Sequence, residues 1–203
     1  MTNNAYKNFT ILPKFPIDYF LNIYDKYKDI LLNSTYEDFN DVMLHDDASI
    51  KLVIFLKNHE ITNVVQDMFD VEVPCCGFMI NFPRAGVWHP HTDRRPCGLN
   101  IPIDVDTTSS HFFSGDVSDA IENKNALDLS PQQDASRRNK KFLYEPEKYQ
   151  FYNSRHPILL NTKQVHGFAN YADTYRTLFS IDFIEPYGDV LETFPKDWYD
   201  NDL

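Results

Sequence analysis

The spacing of apolar residues along the chain changes character near Val71. Before this point, apolar residues recur at intervals of three and four positions, as on one face of a helix. One such stretch covers residues 16–32, and Pro16 suits its first helical turn. Two more cover residues 48–57 and 61–69. The pattern therefore predicts three amphipathic helices that cover one face of a sheet.

After Val71 the pattern becomes one of short alternating stretches that are typical of β-strands. The predicted strands are residues 71–82, 87–93, 98–105, 110–114, 142–145, 149–152, 157–161, 164–169 and 175–184. Helices followed by eight or nine short strands favour a mainly β fold with N-terminal helices. The architecture we predict is a double-stranded β-helix, a cupin-like jelly roll buttressed by helices, whose open mouth between two sheets binds ligands.

The length of 203 residues suits a single domain with a sizeable core. We expect residues 1–70 to form the helical buttress, 71–187 the β core and 188–203 an acidic tail that packs or frays. The polar interval 106–140 interrupts the core as an insertion and carries a predicted helical turn over 117–126. A long insertion beside a site is either a lid or a disordered excursion, and we favour the lid.

Charge and hydropathy exclude several classes of partner. The formal net charge of −11 argues against nucleic acids and anionic membranes, because both attract clustered Lys and Arg. The apolar runs are far shorter than the roughly 20 residues that span a bilayer. The first residues also lack the apolar core of a signal peptide. We therefore expect a cytoplasmic protein without membrane contact, and its oligomeric state is left open.

The 3 cysteines match neither a disulfide framework nor the spacing of a zinc site. Cys75 and Cys76 are adjacent, and Cys97 stands alone. We expect the adjacent pair to pack as small apolar residues. A redox or metal role for the pair is the weaker alternative.

The densest polar chemistry lies in residues 82–105, between two predicted strands. In an extended segment, residues i and i+2 point to the same side, so His91 and Asp93 would share one face. Facial sites for non-haem Fe(II) use two histidines and one carboxylate. The pattern His-x-Asp is weak evidence alone, because about one is expected by chance in such a chain. A second histidine must come from elsewhere.

Two other histidines compete for the role of metal ligand. His45 and Asp47 also form His-x-Asp, but they follow an acidic loop and are predicted to open a helix. There Asp47 is more simply an N-cap or first-turn acid. His89 would face the site in a regular strand, but Pro90 disfavours regular geometry. We therefore treat His89 as a neighbour of the site and not as a ligand.

The C-terminal segment 161–187 supplies the remaining groups. It contains a short predicted strand with His166, then a strongly alternating strand on which Arg176, Ser180 and Asp182 share one face. A half-buried arginine there needs a partner, because burying an unpaired guanidinium is costly. A dicarboxylate cosubstrate would supply the partner. A structural salt bridge to Asp182 is the alternative.

The order His91-x-Asp93, then His166, then Arg176 resembles that of the iron- and 2-oxoglutarate-dependent oxygenases. The resemblance is greatest to the aspartyl/asparaginyl β-hydroxylase and proline hydroxylase branch. It covers about residues 73–187, apart from the insertion. The runs that carry it are Asn81 to Gly86, Leu99 to Ile103, Val165 to Asn170 and Arg176 to Phe183.

This resemblance implies that His91, Asp93 and His166 bind Fe(II) and form the catalytic centre. It also implies that Arg176 holds the distal carboxylate of the cosubstrate 2-oxoglutarate, since a planar guanidinium can bind a carboxylate through two hydrogen bonds. O2 would be the oxidant, with succinate and CO2 as products. Further candidates for the cosubstrate site are Ser180, Asn81 and Asn100.

The substrate is the least determined feature. Arg94 and Arg95 either bind a substrate carboxylate at the mouth or form a solvated turn, and Trp88 lines either the pocket or the core. The branch that the chain resembles acts on amino-acid units, so we expect a small-molecule or peptide substrate.

Two alternative functions are kept open. A non-catalytic protein that binds metal or a small acid would have the same β-helix, because a fold does not determine a function. A nucleic-acid dealkylase of the same superfamily is disfavoured by the net negative charge.

Overall fold

The computed structural model describes residues 8–33, 42–46, 50–88, 90–123, 140–153 and 155–199. The strands are β1 (Phe9–Ile11), β2 (Val42–Asp46), β3 (Ile50–Leu56), β4 (Cys75–Asn81), β5 (Gly86–Val87), β6 (Cys97–Asp104), β7 (Ser110–Gly115), β8 (Gln150–Tyr152), β9 (Ile158–Asn161), β10 (Val165–Asn170) and β11 (Arg176–Phe183). The helices are α1 (Asp18–Asn33), α2 (Glu60–Gln66) and α3 (Tyr187–Thr193), with short 3-10 turns at Pro146–Lys148 and Lys196–Trp198.

The strands form two antiparallel sheets. The larger has 7 strands in the order β1-β9-β6-β11-β4-β3-β2, and the smaller has 4 in the order β5-β10-β7-β8. Their inner faces meet where Phe9 of β1 packs edge-on against Phe112 of β7, with ring centroids 5.8 Å apart. The mainly β jelly-roll fold with few helices is therefore confirmed.

The two faces of strand β11 have different roles in the larger sheet. It pairs with β6 on one side and β4 on the other. Its apolar face carries Phe179, Ile181 and Phe183, all fully buried in the main core. Its opposite face carries Arg176 and Ser180, which are also buried. One face of β11 therefore stabilises the fold, while the other brings polar groups between the sheets.

The helices cover the outer, apolar face of the larger sheet. Phe20 of α1 contacts Phe179, with ring centroids 5.0 Å apart. Burial of one such aromatic side chain contributes about 1.5–3 kcal/mol. Helix α2 begins where His59 Nδ1 accepts a hydrogen bond from the Ile61 amide, 3.2 Å away. The predicted helices over 16–32 and 61–69 are thus confirmed, with boundaries shifted by a few residues.

The predicted helix over 48–57 is wrong. Residues Ile50–Leu56 form strand β3, which pairs with β2 on one side and β4 on the other. Val53 and Phe55 are buried in the core, and Leu56 is exposed. A short apolar run fits both periods, and pairing on two edges satisfies its backbone groups in the strand form. The N-terminal third therefore contributes strands as well as helices.

Two predicted strands are shorter than expected. The strand over 87–93 is reduced to Gly86–Val87 and an isolated bridge at His91, because Pro90 has no amide proton to donate. The strand over 142–145 is reduced to isolated bridges at Lys141 and Phe142. Most of the residues in these two segments therefore lack regular strand pairing.

The predicted insertion 106–140 has different bounds. Ser110–Gly115 is strand β7 of the smaller sheet, so the insertion starts after it. Residues 117–123 form a turn and an isolated bridge at Glu122, not the predicted helical turn. Residues 124–139, on which the lid prediction depends, lie outside the described residues.

One of the two competing histidines has a different position from the one predicted. His45 belongs to strand β2 and does not open a helix. Asp47 and His89 lie outside the described residues.

The described part of the C-terminal tail packs against the core. Val190 of α3 and Phe194 after it are buried. The Trp198 ring packs edge-on against Phe15, with centroids 4.8 Å apart. Across the described ranges, no helix has both the length and the apolar character needed to cross a membrane.

We predict that Gly77→Ala destabilises the protein. A β-carbon at Gly77 would lie 2.0 Å from the Val53 carbonyl oxygen, on a strand that is itself paired on both edges. The expected loss in the free energy of unfolding is about 1–3 kcal/mol or more, measured by urea denaturation. Gly188→Ala is the matched control, because its β-carbon would meet nothing within 4 Å. Equal stability of the two variants would contradict the close approach of β3 and β4.

Candidate metal centre

Three side chains meet at the mouth between the sheets. The ligand atoms of His91, Asp93 and His166 all lie within 4.8 Å of one another. His91 Nε2 is 3.4 Å from Asp93 Oδ1, and His166 Nε2 is 3.6 Å from Asp93 Oδ2. The two histidines and the carboxylate that sequence spacing selected are therefore brought together.

Backbone pairing fixes this arrangement. His91 pairs with His166 at the edge of β10, and each residue donates its amide to the other's carbonyl oxygen at 2.9 Å. This pairing puts both imidazoles on one side, with ring centroids 4.5 Å apart. The Asp93 amide donates to the Thr162 carbonyl oxygen at 2.9 Å. The segment around Asp93 is thus held in place although it is not a regular strand.

The donor set fits a divalent metal ion. Two ligands at right angles, each about 2.1 Å from one ion, lie about 3 Å apart, close to the separations of 3.4 and 3.6 Å between Asp93 and the two histidines. His166 Nδ1 lies 3.0 Å from the Gln164 carbonyl oxygen. A proton on Nδ1 that donates to this carbonyl leaves the lone pair of Nε2 available for a metal.

The charges also suit a cation. Burial alone would raise the pKa of Asp93, but the neighbouring Arg95 and the two imidazoles beside the carboxylate outweigh burial and hold that pKa well below its ordinary value. Burial, followed by the neighbouring His91, lowers the pKa of His166. At neutral pH the centre therefore holds an ionised carboxylate beside an uncharged His166, which are the forms that bind metals.

Arg95 belongs to the centre. Its Nε lies 3.0 Å from Asp93 Oδ2, and its Nη1 donates to Ser180 Oγ at 3.2 Å. The same Nη1 is hydrogen-bonded to Asp182 Oδ1. Arg95 is therefore engaged with two carboxylates, and the substrate contact predicted for it stays a prediction. The neighbouring Arg94 is exposed, and its role in substrate binding stays a prediction.

Arg176 is a buried cation that pairs with no carboxylate among the described residues. Its side chain is 1% exposed, and burial lowers its pKa to about 9, so it is still charged at neutral pH. Nη1 donates to Asn81 Oδ1 at 2.8 Å. Neither Arg176 Nε nor Asn81 Nδ2 has a hydrogen-bond partner among the described residues. Asp182, the alternative partner, is instead paired with Arg95.

Aromatic rings pack beside this guanidinium. Arg176 Cζ lies 4.7 Å from the centroid of the Phe168 ring, a cation–π contact. The Trp88 ring stacks on Phe168 with centroids 5.9 Å apart and planes 6° apart. Trp88 therefore lies on the side of the mouth and not in the main core.

Strand β10 relates Arg176 to the metal centre. His166 and Phe168 are two residues apart and share one face of the strand, so their Cα atoms are about 7 Å apart. Phe168 contacts Arg176, so one face of β10 lies beside both the His166 ligand and the guanidinium. The two sites share one mouth.

The other candidate cosubstrate residues lie on the same inner face. Ser180 of β11 pairs in register with Asn100 of β6, and both are largely buried. Asn100 Oδ1 has no hydrogen-bond partner among the described residues. Ser180 Oγ accepts from Arg95. Both side chains are therefore placed to contact a ligand between the sheets.

The adjacent cysteines have separate surroundings. Cys76 is buried in the main core, and burial raises its pKa to about 12. Cys75 faces the other side, where its Sγ donates to Asp182 Oδ2 at 3.3 Å. Burial also raises the pKa of Cys75. Cys76 therefore packs as a small core residue, as predicted for the pair. Cys75 instead hydrogen-bonds to Asp182 on the polar face of β11.

Sequence analysis missed two contributions to the site. Phe168, which contacts Arg176, could have been found because it lies two residues after His166 on the same strand face. The Gln164 carbonyl beside His166 Nδ1 left no sequence signal, because any residue supplies a carbonyl.

Comparison with solved structures places the fold among known proteins. The non-heme α-ketoglutarate-dependent carbocyclase SnoK, from nogalamycin biosynthesis, matches with a TM-score of 0.53 and 11% identity over 90% of this chain and 83% of that chain. The corresponding epimerase SnoN matches with a TM-score of 0.52 and 8% identity over 89% of this chain and 80% of that chain. The chain is therefore a double-stranded β-helix protein with a candidate metal centre of two histidines and one carboxylate.

Other comparisons are less informative. An oxalate decarboxylase from Bacillus subtilis matches with 10% identity over 70% of this chain. Its TM-score of 0.40 is too low to support a conclusion, and the chain spans only 27% of that longer protein. No protein-family model matches the sequence, and no curated protein matches it significantly. The aspartyl-hydroxylase branch therefore stays a proposal.

We predict that Asp93→Ala sharply weakens divalent-metal binding without unfolding the protein, because it removes one of three ligands at the mouth and opens little core space. Titration with Co(II), followed by its visible absorption, measures the loss. Asp197→Ala, at an exposed aspartate in the tail, is the control and should bind Co(II) as the wild type does. Unchanged affinity in Asp93→Ala would show that Asp93 is not a ligand.

Proposed function

We propose that this protein is an Fe(II)- and 2-oxoglutarate-dependent dioxygenase, and most simply a hydroxylase. The observation that carries the proposal is the pair of unpartnered donors, Arg176 Nε and Asn81 Nδ2, on the same mouth as the His91, Asp93 and His166 cluster. Both orphaned atoms are donors, so the missing ligand is an acceptor, and the charge of Arg176 favours an anion.

The three clustered side chains would hold the metal on one face. Two histidines and one carboxylate leave the remaining positions of an octahedron open, as in non-haem Fe(II) sites. When bound, iron would supply the oxidation chemistry, in which O2 and 2-oxoglutarate are consumed and succinate and CO2 are released. The part of the protein is to orient the reactants and to exclude water.

Arg176 and Asn81 would bind the carboxylate of 2-oxoglutarate that lies far from the metal. The Arg176 guanidinium lies over the Phe168 ring, and its planar shape suits the two parallel hydrogen bonds that a carboxylate accepts. Because Phe168 contacts Arg176 and lies two residues after His166 on β10, a short dicarboxylate bound to the metal would extend toward the arginine. Ser180 and Asn100 would contact its middle.

The substrate we propose is a free amino acid or an amino-acid side chain within a peptide. This class follows from the resemblance to the aspartyl/asparaginyl and proline hydroxylase branch. Exposed Arg94 would neutralise a substrate carboxylate at the rim, and Trp88 would pack against its apolar part. The net charge of −11 disfavours a polynucleotide, so a dealkylase of nucleic acids is the weaker candidate.

We predict that free amino acids or short peptides stimulate succinate release from 2-oxoglutarate in the presence of Fe(II) and O2. Acidic and zwitterionic compounds should be the best stimulators, and nucleic acids and acyl lipids should have no effect. Quantifying succinate across such a panel measures this. Stimulation only by nucleic acids or acyl lipids would overturn the substrate class. Metal-loaded protein that neither binds nor turns over 2-oxoglutarate would support the non-catalytic binding protein instead.

We also predict that Arg176→Lys weakens 2-oxoglutarate binding by tenfold or more, a loss of about 1.4 kcal/mol, while metal affinity changes little. An ammonium group cannot reproduce two parallel hydrogen bonds to one carboxylate. Calorimetric titration of the Co(II)-loaded variants measures both affinities.

The matched control for Arg176→Lys is Arg84→Lys, at an exposed arginine paired with exposed Asp173. This control should bind 2-oxoglutarate as the wild type does. Equal loss of metal and cosubstrate affinity in Arg176→Lys would indicate a collapsed site and not a lost anion contact.

A further inference from the structure

We propose that Arg95 is a positioning residue for the metal carboxylate. It holds one oxygen of Asp93 so that the other is presented to the metal, and it does so while anchored to strand β11. This inference rests on the metal centre of the proposed function but not on catalysis. It assigns Arg95 to the metal centre, whereas the sequence left open a substrate contact or a solvated turn.

The guanidinium spans two parts of the fold that are distant in sequence. At one end, Nε lies 3.0 Å from Asp93 Oδ2. At the other end, Nη1 donates to Ser180 Oγ at 3.2 Å and is hydrogen-bonded to Asp182 Oδ1. Asp182 is fixed in turn, because its Oδ2 accepts from Cys75 Sγ at 3.3 Å. The orientation of Asp93 is thereby tied to the central strand of the larger sheet.

The backbone beside Arg95 is built to keep the guanidinium in this position. The Arg95 carbonyl oxygen accepts a hydrogen bond from Thr162 Oγ1. A β-carbon at Gly98 would lie 3.2 Å from Arg95 Cζ and 3.3 Å from its Nε. The absence of a side chain at Gly98 therefore leaves the room in which the guanidinium lies against β6.

Two carboxylates share this one cation. Asp93 and Asp182 both contact Arg95, so the group of three carries one net negative charge. Asp182 offsets part of the positive charge of Arg95, which reduces its repulsion of a bound metal ion. Arg95 meanwhile fixes Asp93 through a charge-assisted hydrogen bond. The arrangement can thus orient Asp93 without strongly repelling a bound metal ion.

A lysine cannot replace Arg95 in this role. Bridging Asp93 and Asp182 uses two nitrogens of one rigid planar group, and an ammonium is a single point of charge on a flexible chain. The variant Arg95→Lys therefore separates geometry from charge. If Arg95 acted only through its charge, lysine would replace it.

The test is Co(II) binding to the full-length wild type and to Arg95→Lys, followed by titration and by visible absorption. We expect Arg95→Lys to bind Co(II) at least tenfold more weakly, the usual effect of removing a group that orients a ligand. We also expect a changed Co(II) spectrum, because the coordination of Asp93 is altered. Arg84→Lys, at an exposed arginine outside the metal centre, is the matched control and should match the wild type in affinity and spectrum.

A second pair of variants keeps the test decisive if Arg95→Lys does not fold. Asp182→Asn removes the charged anchor of Arg95, and Gly98→Ala pushes its guanidinium without changing any charge. Both should weaken Co(II) binding and alter its spectrum.

The outcomes separate this inference from the proposed function. Wild-type affinity and spectrum in Arg95→Lys, or tighter binding in any of these variants, would overturn the positioning role and leave the metal centre standing. A wild-type protein that binds no divalent metal would overturn both.

Discussion

The site depends on the buried guanidinium of Arg176, whose charge no carboxylate among the described residues neutralises. Arg176 is 1% exposed, its Nε and the amide nitrogen of Asn81 have no partner among the described residues, and no carboxylate pairs with it there. A buried charge without a counterion costs several kcal/mol in a typical protein, an order-of-magnitude figure. Strands β4, β10 and β11 nevertheless converge on it. Such an arrangement is understandable if an anionic ligand completes it, since ligand binding then offsets the loss of stability.

The larger sheet supports this arrangement because its two faces are used differently. On the outer face, Phe78 and Phe179 pack edge-on with ring centroids 5.0 Å apart, beneath helix α1. On the inner face, the same strands carry Asn81, Arg176 and Ser180. The packed outer face supplies hydrophobic stabilisation, which the polar side chains of the inner face do not provide. The rigid sheet also fixes the positions of the inner groups, which a loop could not do as well.

The sequence allowed much of this to be predicted, and the exceptions have physical reasons. Alternation along β11 predicted the buried arginine, and the spacing of His91 and Asp93 predicted two metal ligands on one side. The strand at Ile50–Leu56 was predicted as a helix, because a short apolar run fits both periods and its pairing with β2 and β4 is not local. The role of Arg95 was missed because it depends on Asp182, 87 residues away along the chain.

We propose that the metal cluster and Arg176 are two ends of one binding site for 2-oxoglutarate. The most direct test is calorimetric titration of 2-oxoglutarate into wild-type protein, with and without a bound divalent metal. The account predicts tight binding only to the metal-loaded protein and, by thermodynamic reciprocity, an equal increase in metal affinity when 2-oxoglutarate is present. Equal affinity of 2-oxoglutarate for the metal-free and metal-loaded protein would contradict it.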